Sequence, residues 1–141
     1  MKDLATAMER LKQSSDTLVV VKDGQIIHSS QRGGIRPLFD AVSDLGEDMK
    51  GSSVADKVMG KAAAALCISA GVRGVHTPVM SRAAQALLTD RGIPYTTDLL
   101  VAGILNKNKS DLCPLEKLTA ETDCPEGIAG IVKQFLIKPL K

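Results

Sequence analysis

The chain lacks tryptophan altogether and carries only three aromatic side chains, Phe39, Tyr95 and Phe135. Proteins that hold single-stranded nucleic acid stack bases on exposed rings, and three rings that also serve a core leave little for that work. Charge of one sign is equally scarce. Eighteen Lys and Arg against sixteen Asp and Glu leave a formal net charge of +2, with the cations scattered and the densest group, Lys107-Asn108-Lys109, reading as a loop. A nucleic-acid footprint needs basic residues clustered on one face, so no nucleic-acid partner is expected. Cysteine is sparse as well. Cys67, Cys113 and Cys124 are odd in number and widely spaced, which excludes a disulfide framework and fits a reducing compartment. The N-terminal stretch mixes charged and apolar residues without an apolar core, so it is not a secretory signal. The longest small-apolar run, from Ala62 to Val72, is too short to cross a bilayer. These absences predict a cytoplasmic protein with no membrane contact.

What remains is an ordinary globular balance: 141 residues, 44% hydrophobic and 24% charged, enough for one domain with a real core. Leu4, Ala7, Met8 and Leu11 recur at helical spacing, predicting an amphipathic helix over 3–13. Thr17-Leu18-Val19-Val20-Val21 is β-branched and apolar, Asp23-Gly24 supplies hairpin-turn chemistry, and Ile26 to Ser29 forms the return strand. Pro37 suits the first turn of a helix reaching Leu45, and Gly46 to Ser53 reads as a loop. A long helix is expected from Val54 to Ala70, with Ser53 as N-cap, Asp56 completing a capping box and Gly71 as its stop. Val72 to Pro78 reads as a strand, Ser81 to Arg91 as a helix, and Tyr95 to Val101 as a strand. Cys113-Pro114 and Cys124-Pro125 each open a helix, the last reaching Ile137 ahead of a short tail. Strands alternating with helices predict parallel pairing, and the opening hairpin is antiparallel. The expected architecture is therefore α/β: a three-layer mixed sheet with helices on both faces, in one domain over 1–141.

Two helix starts carry the candidate chemistry. On the expected long helix, Asp56, Gly60 and Ala64 share one stripe and Lys57 and Lys61 the next, while Ser52 and Ser53 place free backbone N–H groups where an anion could bind. Gly60-Lys61 is not a phosphate loop, because Ala55 and Ala62 stand where glycine and Ser or Thr are required. At the second start, Pro114 makes Cys113 the N-cap, where a helix dipole favours thiolate, and Glu116 can cap backwards. A second Cys-Pro start at Cys124 also fits plain turn chemistry. His28 and His76 have no partner at metal-ligand spacing, and no nucleophile elbow or dinucleotide fingerprint is present.

The runs Gly51-Ser52-Ser53-Val54-Ala55-Asp56-Lys57-Val58-Met59-Gly60-Lys61-Ala62 and Leu112-Cys113-Pro114-Leu115-Glu116-Lys117, with Val21-Lys22-Asp23-Gly24 and Gly34-Ile35-Arg36-Pro37-Leu38, resemble an uncharacterised prokaryotic domain family. The resemblance spans roughly residues 16–120 and implies a cytidine-deaminase-like fold. Zinc deaminases bind the metal through a His or Cys at one helix start and two Cys at the next, with a Glu shuttling protons. Laid on that pattern, Asp56 takes the shuttle position and Cys113 keeps one ligand, but Val54 has no donor atom and Glu116 replaces a thiolate. A catalytic zinc wants three protein ligands and an open position. The resemblance therefore implies no metal, no cofactor and no zinc-dependent deamination.

Three readings follow. The first is a small-ligand binder, with a nucleotide or nucleoside held by Ser52, Ser53, Asp56, Lys57, Gly60, Lys61, Cys113 and Glu116. The second is a metal-free enzyme with Cys113 as nucleophile, Lys61 lowering its pKa and Asp56 moving protons. The third is a homo-oligomeric interaction module packed through the Ala-rich helix.

Overall fold

The computed structural model describes residues 2–106 and 109–137; Lys107, Asn108 and the tail after Ile137 lie outside them. Helix α1 (Lys2–Gln13) buries Leu4, Ala7 and Leu11, with Asp3 in its first turn and Arg10 and Lys12 in its last, complementing the helix dipole. Strands β1 (Leu18–Lys22) and β2 (Gln25–Ser30) form the expected antiparallel hairpin. Its turn has positive φ at both Asp23 and Gly24, the geometry that asks for Asp-Gly. Both carboxylate oxygens of Asp3 accept turn N–H groups, from Asp23 at 3.0 Å and from Gly24 at 3.0 Å, fastening α1 to the hairpin.

Helix α2 (Arg36–Leu45) holds Pro37 in its first turn as expected, and a 3-10 turn over Gly46–Met49 follows it. The next segment departs from expectation. Val54 to Met59 is not helical: β3 (Ser53–Asp56) and β4 (Val58–Met59) precede a shorter helix α3 (Lys61–Ala70). Ser53 is thus a strand residue and no N-cap, Asp56 completes no capping box, and Asp56, Gly60 and Ala64 share no helical stripe. The reason is tertiary. β3 and β4 both pair in parallel with β5 (Gly74–Ser81), and Ser53↔Gly74, Ala55↔His76, Val58↔Val79 and Met59↔Met80 keep one register. They are one strand interrupted at Lys57, whose N–H turns aside to the Thr17 carbonyl at 3.0 Å. Gly71 ends α3 in the left-handed conformation at φ 76°, its N–H reaching the carbonyls of Cys67 and Ile68.

Helix α4 (Arg82–Asp90) is capped by Ser81, whose hydroxyl accepts from the Ala84 N–H at 3.0 Å. β6 (Tyr95–Val101) has the expected bounds and pairs in parallel along the other side of β5. Helices α5 (Pro114–Leu118) and α6 (Pro125–Ile137) begin at the two Cys-Pro steps. The six-stranded mixed sheet runs β2, β1, then β3 continued by β4, then β5 and β6, with β1 antiparallel to both neighbours.

The pleat sorts the two faces. Val19, Val21 and Ala55 pack on Ala7 and Leu11 of α1. Leu18, Val20, Val54 and Val75 face the other way, into a larger core with Leu38, Ala63, Leu66, Leu88 and Ile128 from α2, α3, α4 and α6. Ala62, Ala63, Ala64 and Ala65 are all buried there, so the alanine-rich surface of α3 is consumed within the chain and is not left for another subunit. Among the described residues no helix is long and apolar enough to cross a membrane.

His76 on β5 is buried, with Nδ1 2.6 Å from the Thr96 hydroxyl. Burial holds its pKa below the ordinary imidazole value; Asp98 opposes this, Lys12 adds to it and a Thr96 backbone hydrogen bond opposes it. A folded-state pKa below the unfolded one means that the unfolded chain takes up the proton first, so stability falls as pH drops through the free-imidazole range. The midpoint of the wild type relative to that of His76→Gln should therefore fall as pH drops from 7.5 to 5.5. An identical pH dependence in both proteins would mean that His76 contributes nothing to it.

Candidate functional site

Where β3 runs out, the chain builds a cleft of about 500 Å³. Its floor is the Asp56-Lys57-Val58 bend, and its sides come from Thr17 and Leu18 of the β1 start, the Arg32 to Ile35 loop, the first turns of α2 and α3, the Ile104 to Asn106 loop and the start of α5. The position follows from topology. The cleft lies beyond the carboxyl end of the parallel strand β3, where its neighbours are β1 on one side and β5 on the other, and open α/β sheets gather ligands at such switch points. The walls are mostly aliphatic, and none of the three aromatic rings lines them.

Asp56 is the most perturbed polar group in the cleft. Burial raises its carboxyl from 3.8 to about 7, with the backbone N–H groups of Val58 and then Lys57 pulling it part-way back. It is thus a carboxyl that can donate or accept a proton near neutral pH, the property that distinguishes acid–base and ligand-sensing carboxylates. Cys67, buried on α3, has its thiol pushed well above its ordinary value by burial and then by the Asp56 charge, so it is inert packing.

Glu116 reaches back from α5. Its Oε1 accepts the Lys61 N–H at 3.2 Å and its Oε2 accepts the Ile104 N–H at 3.0 Å. One carboxylate thereby caps α3 and pins the loop that forms a cleft wall. Gly60 is what lets it come so close: a Cβ there would sit 2.8 Å from Glu116 Oε1 and 3.1 Å from Ile104 Cγ1. The Lys61 side chain turns away from the cleft. It is buried, and its Nζ donates to the Thr119 carbonyl at 2.9 Å and pairs with Asp123 at 2.8 Å. Lys61 and Glu116 together tie α3 to the segment that runs through α5 to the start of α6.

The family profile described as TM1506, domain of unknown function (DUF1893), matches residues 6–136, nearly the whole chain. The chain belongs to the DUF1893 family. A crystal structure of a DUF1893 family protein from Thermotoga maritima is 29% identical, superposes with a TM-score of 0.88, and the match covers 95% of this chain and 90% of that one. No curated protein matches the chain.

In this DUF1893 chain the structure brings Asp56, Lys57, Gly60, Cys113 and Glu116 to one cleft. It does not bring Lys61's ammonium there, nor Ser52 and Ser53. Those two serines are fully buried at the opposite end of β3, with the Ser52 hydroxyl donating to the Met49 carbonyl at 2.6 Å. The Lys61 ammonium that the nucleophile reading placed beside Cys113 is instead bound to Thr119 and Asp123. Cys113 is half-buried at the head of a five-residue helix and makes no cap hydrogen bond through its thiol. Sequence reasoning missed Thr17, Arg32 and Asn106, which enter the cleft from distant segments.

Proposed function

We propose that the cleft binds a small ligand of nucleoside or nucleotide type and carries out no zinc-dependent chemistry. The observation that supports this best is the meeting of Asp56, whose carboxyl titrates near neutrality, with the cations Lys57 and Arg32 on one aliphatic cleft. A cleft of about 500 Å³ is within the range that encloses small organic ligands, about 300–1,000 Å³. Asp56 suits the N–H or ring-nitrogen edge of a base, since it offers an acceptor when ionised and a donor when protonated. Lys57 and Arg32 suit an anionic group such as a phosphate.

The reading extends to a cytidine-deaminase-like arrangement, supported by the antiparallel hairpin that feeds a parallel set with helices on both faces. On that arrangement the residues argue against a metal. Of the residues laid on the deaminase motifs, Val54, Asp56, Cys113 and Glu116, only Cys113 offers a thiol and none an imidazole, short of the three ligands a catalytic zinc wants. Val54 lies in the core of β3, and both oxygens of Glu116 are already bound to backbone N–H groups.

Calorimetric titration of the purified protein at pH 7 with nucleosides and nucleoside monophosphates tests the proposal. At least one compound should bind, and Asp56→Ala should weaken it by about tenfold, the loss expected for a buried charged contact. Lys57→Ala should weaken the monophosphate and leave the parent nucleoside unaffected. An inert panel, or a binding constant that both variants leave unchanged, refutes the assignment.

A further inference from the structure

A second pocket lies under the first turn of α1, at the end of the sheet opposite the cleft. Its volume is about 150 Å³ and it is lined by Lys2, Asp3, Ser53 and Arg73. Ser53 pairs with Val21 on β1 and stands two residues before Ala55, and Val21 and Ala55 both face α1, so the Ser53 side chain faces α1 too. Its hydroxyl is buried and has no hydrogen-bond partner among the described residues. Buried hydroxyls are nearly always paired, so an orphan on the wall of a pocket marks a place where a partner belongs. Lys2 and Arg73 are exposed and, among the described residues, take part in no ion pair. Asp3 does not neutralise them by contact, because its two oxygens are held by the Asp23 and Gly24 N–H groups. The positive end of the α1 dipole adds to the same field.

We propose that this pocket binds a small tetrahedral oxyanion, either inorganic phosphate or the phosphate of a small monoester. Arg73 presents a planar fork of N–H donors, Lys2 a point charge and Ser53 a hydroxyl donor, and Asp3 leaves the site one positive charge in excess. The site shares no residue with the cleft, so its failure and that of the ligand proposal are separable.

The test is an NMR titration of backbone amides with inorganic phosphate and, separately, with glycerol phosphate, at ionic strength held constant with chloride. Saturable shifts should centre on Asp3, Ser53 and Arg73. Arg73→Gln, a change at an exposed position, should weaken binding by about tenfold, as expected for loss of a charge-assisted fork, and Ser53→Ala should weaken it by several-fold. Tighter binding of the free ion identifies inorganic phosphate as the ligand, and tighter binding of the ester identifies a phosphorylated small molecule. Shifts that do not saturate, or an affinity equal in all three proteins, would mean that the pocket holds only water and that phosphate acts as a general salt.

Discussion

Glu116→Ala should lower the thermal midpoint by roughly 10 °C and loosen one wall of the cleft. The alanine strands two backbone donors at once, the N–H of Lys61 at the head of α3 and the N–H of Ile104. Each unpaired donor costs about 1–3 kcal/mol when water cannot replace the lost acceptor. Both lie beside a cleft that water enters, so the lower half of that range applies and the sum is about 2–4 kcal/mol. For a chain of this length each kcal/mol moves the midpoint by roughly 3–4 °C. Hydrogen exchange makes the effect local: the Lys61 and Ile104 amides should lose protection ahead of β1 and β5, which owe nothing to this carboxylate. Glu116→Gln keeps one acceptor oxygen and should cost about half as much. A midpoint within 2 °C or so of wild type for the alanine variant would show that the two bonds are not made in solution.

Asp56→Asn should stabilise the protein above neutral pH and have little effect in acid. The folded-state pKa is raised from 3.8 to about 7, so between these values the folded protein binds a proton more readily than the unfolded chain. The sign follows: the fold is favoured in acid and loses stability as pH rises through this window, with nothing further lost above it. One pKa unit corresponds to about 1.36 kcal/mol, so the ceiling is about 4 kcal/mol. Because the side chain reaches the cleft and is only partly buried, about 2 kcal/mol is the expected gain. The asparagine oxygen can still accept from the Val58 backbone. Urea melts of both proteins at pH 4.5, 6 and 8 read the difference directly. It should widen steadily with pH, and a gap that stays constant from pH 5 to 8 would mean that Asp56 titrates as an ordinary carboxylate. Together with the loss of ligand affinity expected of Asp56→Ala, a gap that widens with pH would describe a residue kept at the expense of stability for what it binds.

Both predictions rest on contacts that no local pattern announces. Glu116 and Lys61 are fifty-five residues apart, and the sequence suggested each as a ligand contact on its own helix. The structure makes them each other's supports, with Gly60 as the permissive residue between them. Gly60 was legible as a ligand contact on the stripe of a helix. Its real role, allowing a carboxylate to approach a helix start, depends on where α5 lands.

Sequence by itself determined the elements whose reasons are local. The apolar, β-branched run Leu18 to Val21 followed by Asp-Gly made the hairpin, Pro37, Pro114 and Pro125 sat in the first turns of helices, Ser81 capped α4, and Gly71 stopped α3. The alternation of strands and helices likewise set the α/β class, and composition argued against a nucleic-acid surface. Tertiary structure alone decided the segment from Val54 to Met59. That segment is too short and too mixed in polarity for periodicity to separate strand from helix, and parallel pairing with β5 at a fixed register settled it. That one assignment moved Ser52 and Ser53 to the far end of the sheet, sent the Lys61 ammonium into the protein, and left Asp56 and Lys57 at the bend where the cleft opens. A binding site is a meeting of distant segments, and the free energy that brings them together comes from burying the two faces of the sheet, which no single stretch of residues encodes.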